Sequence, residues 1–220
     1  MRPKQIDMDF GNANLTGFAS NITGAGPYTM TTTTTDDTPV SLAHQVSIRN
    51  DSITDYSGQT FTLTGTDADG RTQTEAVTGP VGSATVESAK YFKTLTTISA
   101  SGAGIGADTF DVGWVDEIAS QTIPLDFYAL NPPTIQVDVT GTLNYDIEYT
   151  LQDVFKIGQA APFDFADQEA LTWVNDANWT ARTTDLTDDL AITGIRAIRI
   201  VINSYTDTAE LQFWMTQPKG

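Results

Sequence analysis

The feature that most constrains this chain is strict two-residue alternation of apolar and polar side chains, broken at short intervals by Asp and Gly. Leu143-Asn-Tyr-Asp-Ile-Glu-Tyr-Thr-Leu151 and Ile135-Gln-Val-Asp-Val139 both alternate throughout, with Gly141 at the turn between them. Successive side chains of a strand point to opposite faces, so such runs specify strands with one buried face. Val40, Leu42, Val46 and Ile48 fall at the same even spacing. Phe61-Thr-Leu-Thr-Gly-Thr and Arg71-Thr-Gln-Thr-Glu-Ala-Val77 flank Asp67-Ala-Asp-Gly70, the pattern of a β-hairpin around an Asp-Gly turn. Further strands are predicted over 84–88, 91–99 and 109–115. Residues 40–118 thus carry about six strands at sandwich or barrel spacing. The chain closes with the apolar runs 195–202 and 209–215 around a turn at 203–208, which predict a second, central hairpin.

Composition agrees. Of 28 acidic residues 22 are Asp, and Thr is the commonest residue at 36. Asp favours turns over helices, and Thr favours strands. Residues 1–40 are weakly periodic and rich in turn formers, and predict an extended amino-terminal arm running into a strand around Tyr28–Thr35. Pro124, Pro132 and Pro133 mark a connection between two modules. The predicted fold is all-β: an arm and first strand over 1–39, then two β-sandwich or jelly-roll-like domains over 40–122 and 123–220. A short helix is expected at Asp167–Val174. No strict repeat of solenoid or propeller length is present.

Several chemistries fall away on residue counts. The chain has no Cys and a single His, His44. Disulfide frameworks, thiolate metal sites, cysteine nucleophiles and multi-imidazole zinc sites are therefore excluded. The net charge of −17 opposes a phosphate backbone, so no nucleic-acid partner is expected. That charge divides evenly, with 14 acidic residues on each side of the 122/123 boundary. No run of about 20 apolar residues is present, so no membrane partner is expected. Met1-Arg-Pro-Lys lacks a following apolar stretch, so the expectation is a protein made and folded in a cytosol.

Candidate sites are few. His44 shares a face with Val46 and Ile48 and reads as a packed histidine, with no GxSxG elbow to supply a nucleophile. Asp67 with Asp69, Asp36 with Asp37, Asp108 with Asp111, and Asp188 with Asp189 could face a cation, but the EF-hand spacing is absent and turn chemistry is the default. A two-carboxylate glycosidase needs an aromatic-lined cleft, which the aromatic spacing does not suggest. Trp114 and Trp214 lie in predicted strands and fill cores. Trp173, Trp179, Phe163 and Phe165 lie in the long irregular stretch, either as exposed sugar-stacking platforms or as caps on the second domain. The Gly102–Gly106 loop lacks the helix and GK[ST] of a phosphate cradle. No cofactor and no metal are expected.

Two segments carry a resemblance. One is Thr64-Gly-Thr-Asp-Ala-Asp-Gly-Arg with Glu75-Ala-Val-Thr-Gly-Pro and Ser88-Ala-Lys-Tyr-Phe-Lys-Thr-Leu-Thr-Thr-Ile-Ser. The other is Gly194-Ile-Arg-Ala-Ile-Arg-Ile-Val-Ile-Asn-Ser-Tyr with Leu211-Gln-Phe-Trp-Met-Thr-Gln-Pro. Spanning residues 64–99 and 194–218, they resemble virion structural proteins of tailed bacteriophages. The resemblance implies a non-enzymatic protein located in the virion, a capsid decoration or cement protein that binds the major capsid protein or other virion subunits and self-associates. A neck or tail component is the alternative in the same class, and a carbohydrate-binding module or adhesin the alternative outside it. The candidate partner-binding residues are Arg2, Lys4, Ile6 and Phe10 in the arm, with Trp173 and Trp179. On that reading, removing residues 1–25 weakens attachment without unfolding the β-domains.

Overall fold

The computed structural model describes residues 4–24, 26–28, 30–35, 42–101, 106, 108–126, 131–155 and 168–217. The fold is all-β, built from several antiparallel sheets. The strands are β1 Lys4–Asp9, β2 Asn14–Ile22, β3 Ala43–Asn50, β4 Thr60–Thr66, β5 Thr72–Thr78, β6 Thr85–Phe92, β7 Thr94–Ala100 and β8 Phe110–Ala119. They continue with β9 Ile123–Pro124, β10 Thr134–Thr140, β11 Leu143–Thr150, β12 Val174–Asn175, β13 Leu186–Asp189, β14 Ala197–Tyr205 and β15 Glu210–Thr216. Among the described residues the only helical element is a 3-10 turn at Gln168–Ala170, and no helix is long and apolar enough to cross a membrane.

The chain divides into two compact units. A terminal unit comprises Met1–Gly11, Asp37–Leu42 and Ala119–Gly220; a middle unit comprises Asn12–Asp36 and Ala43–Ile118. The expected amino-terminal piece, 1–39, is therefore shared between them.

In the terminal unit one sheet has the order β1-β15-β10-β13. Its inward positions Met8, Ile135, Val137, Leu211, Phe213 and Met215 are buried, and the alternate positions face outward. In the second sheet of this unit β11 pairs with β12 and β14, and β14 with β9. Tyr145, Ile147, Ile198, Ile200 and Ile202 form its buried stripe.

The expected closing hairpin does not form. β14 pairs with β11, whereas β15 pairs with β1 and β10. The turn at 206–209 is closed by Ala209 N–H donating to Thr206 O at 2.7 Å, and Thr206 N–H donates to Thr142 O at 2.9 Å. It lies against the β10–β11 connection, where Gly141 (φ +80°) has Ala209 Cα 3.0 Å from the position a Cβ would take. The two connections act as a pair of arches, each passing its chain from one sheet to the other. A hairpin and an arch both need alternating runs and a short turn, which is why spacing alone does not separate them.

The extended arm is also corrected. Residues 4–9 form β1 in continuous register with β15, from Lys4↔Met215 to Asp9↔Glu210, and β2 pairs with β8. Lys4, Ile6 and Met8 share the inward parity, and the backbone satisfies its donors and acceptors on β15. Removing residues 1–25 would thus strip a strand from each unit. The described residues of 28–35 form no strand. They follow β7 through isolated contacts, Tyr28 N–H to Ile98 O at 3.0 Å, Leu95 N–H to Thr33 O at 2.9 Å and the Thr34↔Thr94 bridge.

In the middle unit the order β5-β4-β7 forms one sheet; in the other, β8 neighbours β3, with β6 beyond it, and β2 pairs irregularly with β8. The predicted hairpin is present as β4–β5, registered from Thr60↔Thr78 to Thr66↔Thr72. Gly70 takes φ +82° in its turn, a left-handed conformation that glycine adopts without penalty. Phe110 is the aromatic centre of the core, 5.0 Å from Tyr56 and 5.1 Å from Phe61 between ring centroids. Trp114 packs edge-on against Phe18 at 5.0 Å. Trp114 is a core residue, as expected. Trp214 of the terminal unit is not: it takes an outward position of β15 and is only partly covered.

Burial, with Glu87 nearby, holds the Glu117 carboxyl above its ordinary value of 4.5. A raised acid binds more protons folded than unfolded, so its contribution falls as pH rises from the unfolded value through the folded one. Because Glu117 is still partly open to solvent, Glu117→Gln is expected to raise Tm at pH 7 by only roughly 1–3 °C. The gain should vanish at pH 4, which thermal melts at the two pH values test directly.

Candidate functional site

The inward stripe of β11 does not end where the core ends. Leu143, Tyr145 and Ile147 are buried, but the same face continues to the half-buried Tyr149 and to Leu151, which is 57% exposed. Val174 of β12 lies opposite Tyr149 in register and is 43% exposed. Tyr149, Leu151, Gln152, Thr172 and Val174 line a groove of about 280 Å³. Gln152 Oε1 accepts a hydrogen bond from Thr172 N–H and ties its two walls together. Phe155, four residues beyond Leu151, is exposed as well. None of the described residues lining the groove carries a formal charge, in a chain of net −17.

The opposite face of the same strands is polar and buried. Glu148 and Arg199 are cross-strand partners, with Arg199 Nε donating to Glu148 Oε2 at 2.6 Å. Side-chain exposures of 7% for Arg199 and 17% for Glu148 place this pair largely out of water. Trp173 covers it, its ring centroid 4.7 Å from Arg199 Cζ. Trp173 Nε1 donates to Gln168 O at 2.8 Å, and the Gln168 amide donates to Ser120 O and Thr122 Oγ1, each at 3.1 Å. This network anchors the segment that delivers Thr172 and Val174 to the groove. The expected helix at Asp167–Val174 reduces to the 3-10 turn at Gln168–Ala170, because Val174 and Asn175 are drawn into a strand beside β11; Asp167 lies outside the described residues.

Of the described residues singled out in the sequence, Trp173 is the one brought beside this groove. Trp179 is fully buried against Tyr145, with ring centroids 6.5 Å apart, so it caps the unit and offers no exposed stacking surface. Among the described residues its Nε1 has no hydrogen-bond partner. Phe10 is a core residue, buried against Tyr205 with ring centroids 4.9 Å apart. Lys4 and Ile6 are half-buried on the inward side of β1. Arg2, Phe163 and Phe165 lie outside the described residues. Leu151 and Val174 were missed, although Leu151 ends the longest alternating run and Val174 follows Trp173. The signal was the length of that run, which outlasts the core it feeds.

The described acidic side chains accept hydrogen bonds from nearby backbone N–H groups and hydroxyls. Asp67 Oδ1 accepts Asp69 N–H at 2.9 Å and Arg71 N–H at 2.8 Å inside the hairpin turn. Buried Asp176 accepts Asn178 N–H at 2.9 Å and Ala191 N–H at 2.7 Å. Asp111 accepts Asn21 N–H at 3.1 Å, and Asp189 accepts Thr134 Oγ1–H at 2.6 Å. Hydrogen bonds from the Tyr56, Thr54 and Ser52 hydroxyls hold the Asp108 carboxyl below its ordinary value. Among the described residues no three His, Asp or Glu side chains converge to hold a metal ion; Asp36 and Asp37 lie outside those residues. His44 is fully buried with Nδ1 2.7 Å from Val115 O, as a packed histidine requires.

The middle unit has its own exposed apolar pair. Ile53 is 93% and Val81 59% exposed, on loops joined by Gly82 N–H to Thr54 O at 3.1 Å and Tyr56 N–H to Pro80 O at 2.9 Å. No family model, curated protein or solved structure matches the chain.

Proposed function

We propose that this chain is a non-enzymatic structural protein of a tailed-phage virion, a head decoration or cement protein that works by surface contact with neighbouring subunits. The observation that carries this reading is the groove whose described lining, with Tyr149, Leu151, Thr172 and Val174, bears no formal charge, beside the paired strands β11 and β12 of an otherwise acidic chain. Water is displaced from apolar side chains when a subunit covers them, and the surrounding acids disfavour any contact elsewhere with another acidic surface. The layered, arched sheets of the terminal unit suit a β-sandwich-like contact module. The Asp side chains that cap turns are in accord with a role in folding and solubility, not in reaction.

The contact partner on this reading is the major capsid protein or a further copy of this chain, and the site of action is the assembled particle. Leu151→Asp combined with Val174→Asp is expected to lower occupancy on particles at least about tenfold, since each buried aliphatic contributes roughly 1.5–3 kcal/mol. Both positions are exposed, so the variant should keep the wild-type melting temperature. Particle imaging with subunit counting tests this. Hundreds of copies on the shell support decoration, a multiple of about 3, 6 or 12 on the axis supports a neck or tail ring, and no copies on particles refute the reading.

A further inference from the structure

On the sheet β1-β15-β10-β13 the outward positions assemble a constellation that sequence order conceals. Directly opposed residues share a face, so Gln5 and Gln136 flank Trp214 on its two sides, and Asp7 and Asp138 flank Gln212 in the next row. The flanking strands repeat one short pattern, Gln5-Ile-Asp7 and Gln136-Val-Asp138. Each pair is hydrogen-bonded along its strand, Gln5 Nε2 to Asp7 Oδ1 at 3.1 Å and Gln136 Nε2 to Asp138 Oδ1 at 3.1 Å. Trp214 thus sits between two amide–carboxylate pairs of the same build.

We infer that this face binds a neutral glycan, with a sugar ring stacked on Trp214 and its hydroxyls hydrogen-bonded by the flanking amides and carboxylates. A pyranose offers an apolar C–H face to an indole and a rim of hydroxyls to groups beside it. Strands lie about 4.8 Å apart, so the row from Gln5 through Trp214 to Gln136 spans about 10 Å, on the scale of a sugar ring and its substituents. The in-strand hydrogen bonds hold the amides in place before a ligand arrives, which lowers the ordering cost of binding. Charge selects among glycans. Asp7 and Asp138, with Asp9 and Glu210 in the adjoining row, repel uronate, sialyl or phosphorylated chains. Trp173 plays no part in this site, and the inference does not depend on whether the protein belongs to a virion.

The test is native affinity electrophoresis of the full chain through gels containing hydroxyethylcellulose, laminarin, dextran or galactomannan, with polygalacturonate as the anionic comparison. At least one neutral polymer should retard the wild type, with a dissociation constant of roughly 0.1–1 mM for so open a site. Trp214→Ala should weaken that retardation at least about tenfold and Trp214→Tyr much less. Gln5→Ala with Gln136→Ala should weaken it while leaving the melting temperature unchanged, which separates binding from folding. Trp173→Ala should bind as the wild type does. The inference is overturned if no neutral polymer retards the protein, if polygalacturonate is preferred, or if Trp214→Ala and the double Gln variant bind normally.

Discussion

Gly113→Ala is expected to destabilise the middle unit by about 3 kcal/mol or more, the scale of overpacking a closed core, and to lower Tm by roughly 6–12 °C. A Cβ at this position of β8 would lie 1.8 Å from Asn14 O and 2.4 Å from Leu15 C, both backbone atoms of β2. A side-chain clash can be relieved by a rotamer change, but here the strand itself would have to move. Gly17 on β2 makes the reciprocal approach, where a Cβ would meet the Trp114 ring at 2.1 Å. Two glycines therefore let β2 and β8 pass close enough for Trp114 Nε1 to donate to Asn12 O at 3.0 Å. Displacing β2 would also expose Phe18 and Trp114, which are among the largest fully buried side chains. Gly58→Ala is the matched control, since a Cβ there meets nothing within 4 Å; it should shift Tm by less than about 1 °C. Near-ultraviolet circular dichroism during a thermal melt follows the Trp114 environment. A Gly113→Ala protein melting within about 2 °C of the wild type would show that β2 does not pack as described.

The second large effect is expected in the terminal unit. Arg199→Ala should cost about 3–5 kcal/mol, because it leaves the Glu148 carboxylate with little water and without its guanidinium partner. It also removes the cation from the Trp173 face and the 3.5 Å contact from Arg199 to Gln168 Oε1. Arg199→Met combined with Glu148→Met should recover most of that loss, since the desolvation penalty disappears with both charges. The two variants together separate a stabilising pair from one that is merely costly to break. Urea denaturation supplies the stabilities, and tryptophan emission reports the release of Trp173. A loss below about 1 kcal/mol for Arg199→Ala would mean that water reaches this pair.

Much of the fold was legible because a strand's two faces are written in alternate residues. The β4–β5 hairpin followed from Asp67-Ala-Asp-Gly70 and its flanking runs, and the burial of His44 from its place beside Val46 and Ile48. Local chemistry decides such features, since neighbours in sequence are neighbours in space. The candidate sites were less legible. Trp179 and Trp173 lie six positions apart in one irregular stretch, yet one is sealed in the core and the other covers an ion pair. Trp214 looked like a core residue because β15 is apolar; its parity, set by pairing with β1 and β10, turns it outward.

By itself, the sequence determined an all-β chain, the position of most strands, the use of Asp in turns and the absence of thiol and multi-histidine chemistry. These rest on covalent composition and on the two-residue period of extended backbone. Only the tertiary structure decided which strands are partners. It made arches of the connections at Gly141 and at 206–209, drew residues 4–9 into a sheet whose other strands lie more than a hundred residues away, and placed Gln5, Trp214 and Gln136 in one row. The physical reason is that backbone hydrogen bonds between strands carry no residue identity, so pairing is chosen by how side-chain faces pack across the whole unit.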